Sequence, residues 1–244
     1  MSFLADVVRW FLDPAHWHGY GGIPTRLEEH VLMSLAATAA AAAIALPVGL
    51  TLGHLGRGGG LAINLSNVGR AVPSFAILVL AVQAIGIGAK PAFIALVALA
   101  VPPMVTNAFV GMRDVDAQLR DAARGLGMRD VQVLFRVELP NALPVVMAGV
   151  RTSGVQVVAT ATLAGLVGWG GLGRYIIDGL SQRDFVQIFA GAVLVAALSA
   201  LTELALWTLQ RLLTPAGLRS AAASERAGAG LAVEAQPRPG VLVP

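Results

Sequence analysis

A single polar, arginine-rich segment, DAARGLGMRDVQVLFRVELP from Asp121 to Pro140, is set between long runs of Ala, Leu and Val. No other feature limits the fold as much. Apolar runs of roughly 20 residues match the thickness of a bilayer's hydrocarbon core. Clustered charge is costly in that core, so the segment must stand outside the lipid. Its glycines and small side chains give it a surface that another protein can grip.

The composition agrees with a membrane chain. Hydrophobic residues make up 56% of the sequence and charged residues only 13%, with a mean hydropathy of +0.73. A soluble domain needs more polar surface than that. There is no cysteine, which removes disulfides, thiolate metal sites and thiol nucleophiles. The isoelectric point near 10.2 does not point to nucleic acid, because the basic residues are spread over several loops without interleaved aromatics.

Five spans are expected, at Val31–Gly53, Val68–Gly88, Pro91–Met112, Pro144–Gly168 and Val186–Gln210. The expected fold class is therefore an all-α integral membrane protein with about five transmembrane helices. Small residues such as those from Ala36 to Ala45, and Gly149, Gly154 and Gly165, allow close helix approach. Pro47, Pro73, Pro102 and Pro103 fall inside spans as tolerated kinks. The start does not read as a cleaved signal peptide. Phe3, Leu4, Val7, Val8, Phe11 and Leu12 recur opposite Asp6, Arg9 and Asp13, an amphipathic helix that either lies on the membrane surface or packs on the bundle.

Basic residues set the orientation. With the N-terminus outside and the C-terminus inside, ten basic residues lie inside and five outside, Arg70 and Arg151 falling at or within spans. This places the 121–140 segment in the cytoplasm. The chain then divides into an external segment 1–30, a transmembrane domain 31–212 with a cytoplasmic loop 113–143, and a cytoplasmic tail 213–244. The tail's Ala, Gly, Ser, Arg and Pro without periodicity predict disorder.

Within the polar segment, Asp116 is placed to cap a short helix through Arg124, which Gly125 and Gly127 stop. Asp130 is placed to cap a second helix through Arg136, ended by Leu139-Pro140. Two small helices about a turn make a rigid knob.

The spacing Asp121-Ala122-Ala123, then Gly127, then Val137, Leu139 and Pro140 resembles the cytoplasmic loop of bacterial ABC-importer permeases. That family's pattern is Glu-Ala-Ala, three residues, Gly, nine residues, Ile-x-Leu-Pro, with Asp for Glu and Val for Ile here. Val72-Pro73-Ser74, Ala148-Gly149-Val150-Arg151, the run from Ala159 to Ala164 and the run from Gly168 to Gly173 resemble its osmoprotectant branch, which imports glycine betaine, carnitine and choline. The likeness covers about residues 29–212. Arg70 departs from it, standing where relatives more often carry a neutral polar residue.

The resemblance implies the type I importer permease fold. It implies a contact surface for a cytoplasmic ABC ATPase at Asp121, Ala122, Ala123, Gly125, Gly127, Leu139 and Pro140. It also implies a second permease chain, identical or closely related, and an external solute-binding protein. ATP and Mg would be bound by the ATPase, with no cofactor on this chain.

Other signals carry less. Gly168-x-Gly170-x-x-Gly173 matches the dinucleotide fingerprint by letter, but a membrane span precedes it, so it reads as an external hairpin loop. The one lysine, Lys90, is followed by Pro91 and cannot belong to a phosphate-binding loop. His16 and His18 lack a third metal ligand. Arg70 and Arg151 are read as snorkelling near the cytoplasmic ends of spans, or Arg151 pairs with Glu203 across the bundle. Gln83, Gln156, Thr160 and Thr162 either line a passage or, for the threonines, bond back to their own helix. Phe75, Phe93, Phe109, Phe189 and Trp207 are few for an aromatic cage around a cation. An ion-coupled secondary transporter would want intramembrane carboxylates and internal repeats; only Glu203 qualifies.

Overall fold

The computed structural model describes residues 2–60, 64, 67, 69, 71–215 and 217. Among these the regular structure is helical throughout. The disorder expected for the tail and the role of Arg70 fall on residues outside the described ones, apart from 213–215 and 217.

Among the described residues, four helices or rods are long and apolar enough to cross a membrane: Ile23–Leu55, Ala89–Arg113, Asp130–Val167 and Phe185–Leu213. We number the α-helices α1 (Phe3–Leu12), α2 (Ile23–Leu55), α3 (Ser74–Ile85), α4 (Ala89–Arg113), α5 (Ala117–Gly125), α6 (Asp130–Val133), α7 (Leu139–Thr160), α8 (Gly173–Gln182) and α9 (Phe185–Leu213).

Helices α2, α4 and α7 form the centre of the bundle. Their shared core holds Ala37, Ala41, Ala45, Leu96, Ala100, Met104 and Val157. Alanine and glycine matter here because they bring backbones together. A methyl group at Gly49 would lie 2.7 Å from the Val105 carbonyl oxygen, and one at Gly53 would lie 2.5 Å from Met112 Cβ. Side chains at those two positions would force α2 and α4 apart, and the dispersion contacts of the seam would be lost. Beside the proline pair of α4, Ser153 Oγ donates to Ala100 O at 3.0 Å, a buried bond between helices.

The second expected span is not one continuous helix. Residue 71 is helical, but Val72 and Pro73 leave the helix and α3 begins at Ser74. Proline lacks an N–H and disfavours the α conformation of the residue before it, so Pro73 breaks the segment instead of kinking it. With 12 residues, α3 is about 18 Å long, short of the hydrocarbon core by itself.

The fourth span differs at its start. It begins at Asp130, not Pro144, as one rod of 38 residues. Leu139-Pro140 does not end a helix; the chain passes through it. A π turn over Leu134–Glu138, closed by Leu139 N donating to Leu134 O, precedes the proline. This wider turn accommodates a ring that would otherwise collide with the preceding turn. Asn141 Nδ2 donates to Val137 O at 2.6 Å and engages a carbonyl just before the proline. At roughly 55 Å the rod exceeds the bilayer, so its first turns stand clear of the lipid.

Helix α1 packs on the bundle. Val7 and Trp10 are its buried residues. Phe3 meets Phe189 of α9 edge to face at 5.4 Å, and Trp10 meets Tyr175 of α8 in the same way at 5.4 Å. Leu4, Val8 and Leu12 face outward. His16 Nδ1 bonds Trp10 O at 2.8 Å and Trp17 Nε1 donates to Phe11 O at 2.7 Å, engaging carbonyls in the last turn of α1.

Candidate coupling site and membrane pathway

The knob is built from α5 and α6. Asp116 caps α5 as its carboxylate accepts from Gln118 N at 2.8 Å. Gly125 does not stop the helix but forms its last residue. The stop is at Gly127, with φ of 80°. There Gly127 N donates to Arg124 O at 2.9 Å and Met128 N to Ala123 O at 3.2 Å. This paired closure requires a left-handed residue, which glycine adopts without steric cost. Asp130 is not the cap of α6 either. Arg129 holds that position, its backbone N–H donating to Gln132 Oε1 at 2.8 Å, and Asp130 is the first residue inside.

Most of the knob's surface is open. Asp121, Ala122, Arg124, Gly125 and Gly127 are exposed. Ala123 is only 6% exposed, so its methyl packs the knob and offers no contact. Leu126 is 86% exposed, and Val131, Phe135 and Leu119 are also uncovered. Large apolar side chains left uncovered in this way are the kind that a protein partner covers. The ion pairs Arg124–Asp121 at 3.9 Å and Arg124–Asp130 at 3.6 Å are exposed and contribute little stability. Leu139 and Pro140 sit half-buried in the rod at the knob's root.

Beneath the knob lies a cluster that the sequence pattern did not single out. Glu138, in the π turn, is 1% exposed. Its Oε2 is 2.5 Å from His54 Nδ1, near the end of α2. Its Oε1 is 3.1 Å from Arg120 Nε of α5, a charge contact and not an aligned hydrogen bond. A carboxylate only accepts, so Nδ1 of His54 carries the hydrogen. Arg120 Nη2 donates to Met112 O at 2.6 Å, satisfying a carbonyl at the end of α4. Removing one partner from such a buried group costs about 3–5 kcal/mol. The signal in the sequence was Glu138 itself, an acid among apolar residues at a span's start.

Within the bundle, a cavity of about 480 Å³ is lined by Gly69, Val72, Pro73, Ser74, Leu99, Pro103, Thr152 and Gln156. The broken segment before α3 thus opens onto α4 and α7. Gln156 lines it. Thr160 lines a water-sized pocket beside Ser74. Gln83, exposed on α3, belongs to neither. Thr162 Oγ1 bonds back to Ala159 O at 2.8 Å.

Arg151 sits midway along α7, and its Nε lies 3.2 Å from Glu203 Oε1 of α9, the expected pair. Its Nη1 donates to Gln210 Oε1 at 3.2 Å. Three of the aromatics are engaged elsewhere: Phe109 in the core, Phe189 with Phe3 and Trp207 with Arg211.

At the opposite end from the knob, the Gly168–Gly173 loop is gripped by α2. Glu29 Oε2 accepts from Gly171 N at 2.7 Å. His30 Nδ1 accepts from Leu172 N at 3.2 Å, so Nε2 donates to Val158 O at 2.9 Å. The Glu29 carboxylate occupies the space a side chain on Gly170 would need. Arg26 holds the same carboxylate at 2.9 Å. Glu29 and His30 went unread because they precede a span as ordinary flanking charge. Close by, Tyr175 OH donates to Gly21 O at 2.7 Å. Burial, above all, pushes its phenol up to about 12; Arg26 pulls it down and Glu29 raises it.

Comparison with known proteins agrees with this architecture. Residues 41–216 match the family described as binding-protein-dependent transport system inner membrane component. The carnitine transport permease protein OpuCB of Listeria monocytogenes is 40% identical over 79% of this chain and 88% of its own length. The choline transport system permease protein OpuBB of Bacillus subtilis is 38% identical over 78% and 88%. Among solved structures, the inward-facing MetNI methionine ABC transporter aligns with a TM-score of 0.66 at 24% identity, over 77% of this chain and 94% of that one. An amino acid ABC transporter aligns at 0.65 and 17%, over 86% and 98%. These two share the fold, that of type I importer permeases. With the family matched across most of its length, the chain belongs to the inner-membrane permease components of binding-protein-dependent ABC importers.

Proposed function

We propose that this chain forms the translocation path of an ATP-driven importer for quaternary-amine osmoprotectants such as glycine betaine, carnitine or choline. Relatives named for carnitine, choline and glycine betaine transport support that solute class. Two permease chains, identical or closely related, pair in the membrane above two cytoplasmic ABC ATPases, and an external binding protein delivers the solute. The N-terminus lies outside and the C-terminus inside, with residues 31–212 as the permease domain. ATP and Mg belong to the ATPase; this chain performs no covalent chemistry.

The observation that carries the reading is the knob: an exposed apolar crest at Leu126, Val131 and Phe135 on a rigid, capped turn. Asp121, Ala122, Gly125 and Gly127 surround the crest as contact surface, while Leu139 and Pro140 brace its root. Closure of the ATPases displaces the knob and biases the bundle between inward-open and outward-open states, as sites sharing one equilibrium must. Along the path, Gln156, Thr152 and Ser74 line a cavity of mixed polarity. A methyl-clad ammonium ion has no N–H to bond, so sparse polar groups let it pass without trapping it.

A secondary transporter driven by ions would need a free intramembrane carboxylate. Glu203 is committed to Arg151, which disfavours that reading. Co-reconstitution with the ATPase and binding protein tests the proposal. ATP-dependent uptake of radiolabelled betaine, carnitine or choline is expected, and solute flux by the purified chain alone would contradict it.

A further inference from the structure

Helix α5 packs chiefly on the short segments that follow it, α6 and the π turn. Arg120 extends its reach to the ends of other membrane helices. Arg120 touches the carbonyls of Met112 and Arg113 at the end of α4, at 2.6 and 3.3 Å. It also meets Glu138 at the foot of the rod, and Glu138 in turn meets His54 near the end of α2. Three of the long helices therefore meet at one charged cluster, Arg120–Glu138–His54, at the end of the bundle that carries the knob.

The cluster is built to be stiff. Glu138 is 1% exposed, and both its oxygens are engaged by different helices. A buried carboxylate cannot exchange its partners for water as an exposed one would. The π turn that presents Glu138 offsets the rod's register, and without it the side chain would point elsewhere around the helix.

We propose that Arg120, Glu138 and His54 form a rigid joint that carries displacement of the knob into α2, α4 and α7, making Arg120 and Glu138 positioning residues for coupling. This rests on the ATP-driven reading above. The joint stays closed through the cycle and moves as a unit. Its loss uncouples α5 from α2 and α4, so those two helices lag behind when the ATPase moves the knob, while α6 stays continuous with the rod.

The test exploits the absence of cysteine. The wild type, Glu138→Gln and an Arg120→Cys/Glu138→Cys pair are reconstituted with the ATPase and binding protein. ATP hydrolysis and uptake of mixed radiolabelled betaine, carnitine and choline are measured on the same vesicles. Both variants should retain hydrolysis, while solute moved per ATP falls about tenfold. Bridging the two cysteines with a short bifunctional thiol reagent should restore the ratio, an outcome that mere loss of stability would not produce. An unchanged ratio in Glu138→Gln, or a bridged pair that hydrolyses ATP without transport, overturns the joint. A wild type that moves none of the three solutes instead contradicts the transport reading itself.

Discussion

Arg151 on α7 and Glu203 on α9 face each other across the bundle, with Nε and Oε1 3.2 Å apart. Gln210, two turns further along α9, extends the pair by donating to Pro144 O at 2.9 Å while accepting from Arg151. A charge midway along a membrane helix is stabilised by such a partner, since an unpaired arginine there costs about 2.5–3.5 kcal/mol on insertion scales.

Glu203→Gln should therefore lower the thermal midpoint in detergent but leave uptake dependent on ATP and indifferent to an imposed proton gradient. Loss of a gradient-driven flux would favour ion coupling. Replacing both partners with Leu and Met should cost less than the sum of the single changes, because neither charge is then left alone.

The knob separates two glycines. Gly125 is helical and has open space around it, so Gly125→Ala should hold or raise stability by up to about 1 kcal/mol. Gly127, with φ of 80°, should lose about 1–2 kcal/mol when replaced by Val. Both changes place bulk on the docking face, and both should depress uptake. A Gly125→Ala chain that is more stable and fully active would argue against docking at this face.

At the other end, Glu29 and Gly170 share one space. Gly170→Ala should expel the carboxylate from Gly171 N, and Glu29→Ala should remove the same charge-assisted bond. Each should cost about 1.5–3 kcal/mol. The double variant should be little worse than either single one, as read by thermal unfolding.

Tyr175 gives a pH signature. Its phenol is raised to about 12 from an ordinary value near 10. The raised group contributes stability that is fully present below pH ~10 and is lost as pH rises through about 12, when the O–H donated to Gly21 disappears. The tyrosinate absorbance difference between wild type and Tyr175→Phe should develop near the upper value. Development near pH ~10 would mean that the side chain is not buried against Gly21.

Much of this was legible from the residues. The positions of α4 and α9 follow from apolar length alone, whereas α2 starts at Ile23, eight residues before the expected Val31, because its polar first turns are helical too; the Asp116 cap and the turn at Gly127 follow from local chemistry. What was missed depends on neighbours far along the chain. Whether Pro73 kinks or breaks a helix, and whether Pro140 ends one, turns on the backbone around each; the π turn before Pro140 has no signature in side-chain pattern. Glu138, His54 and Arg120 are separated by up to 84 residues, so only the folded bundle unites them. Trp10 was overlooked on α1 because its buried face is defined by α8 and α9.

Because the chain has no cysteine, a single Leu126→Cys at the most exposed point of the crest reports directly on its surroundings. An impermeant thiol reagent should label it in inverted vesicles stripped of ATPase, fail to label it in intact cells, and lose access when the ATPase is added back. Labelling from the outside, or labelling unaffected by the ATPase, would contradict a cytoplasmic knob seated in a motor.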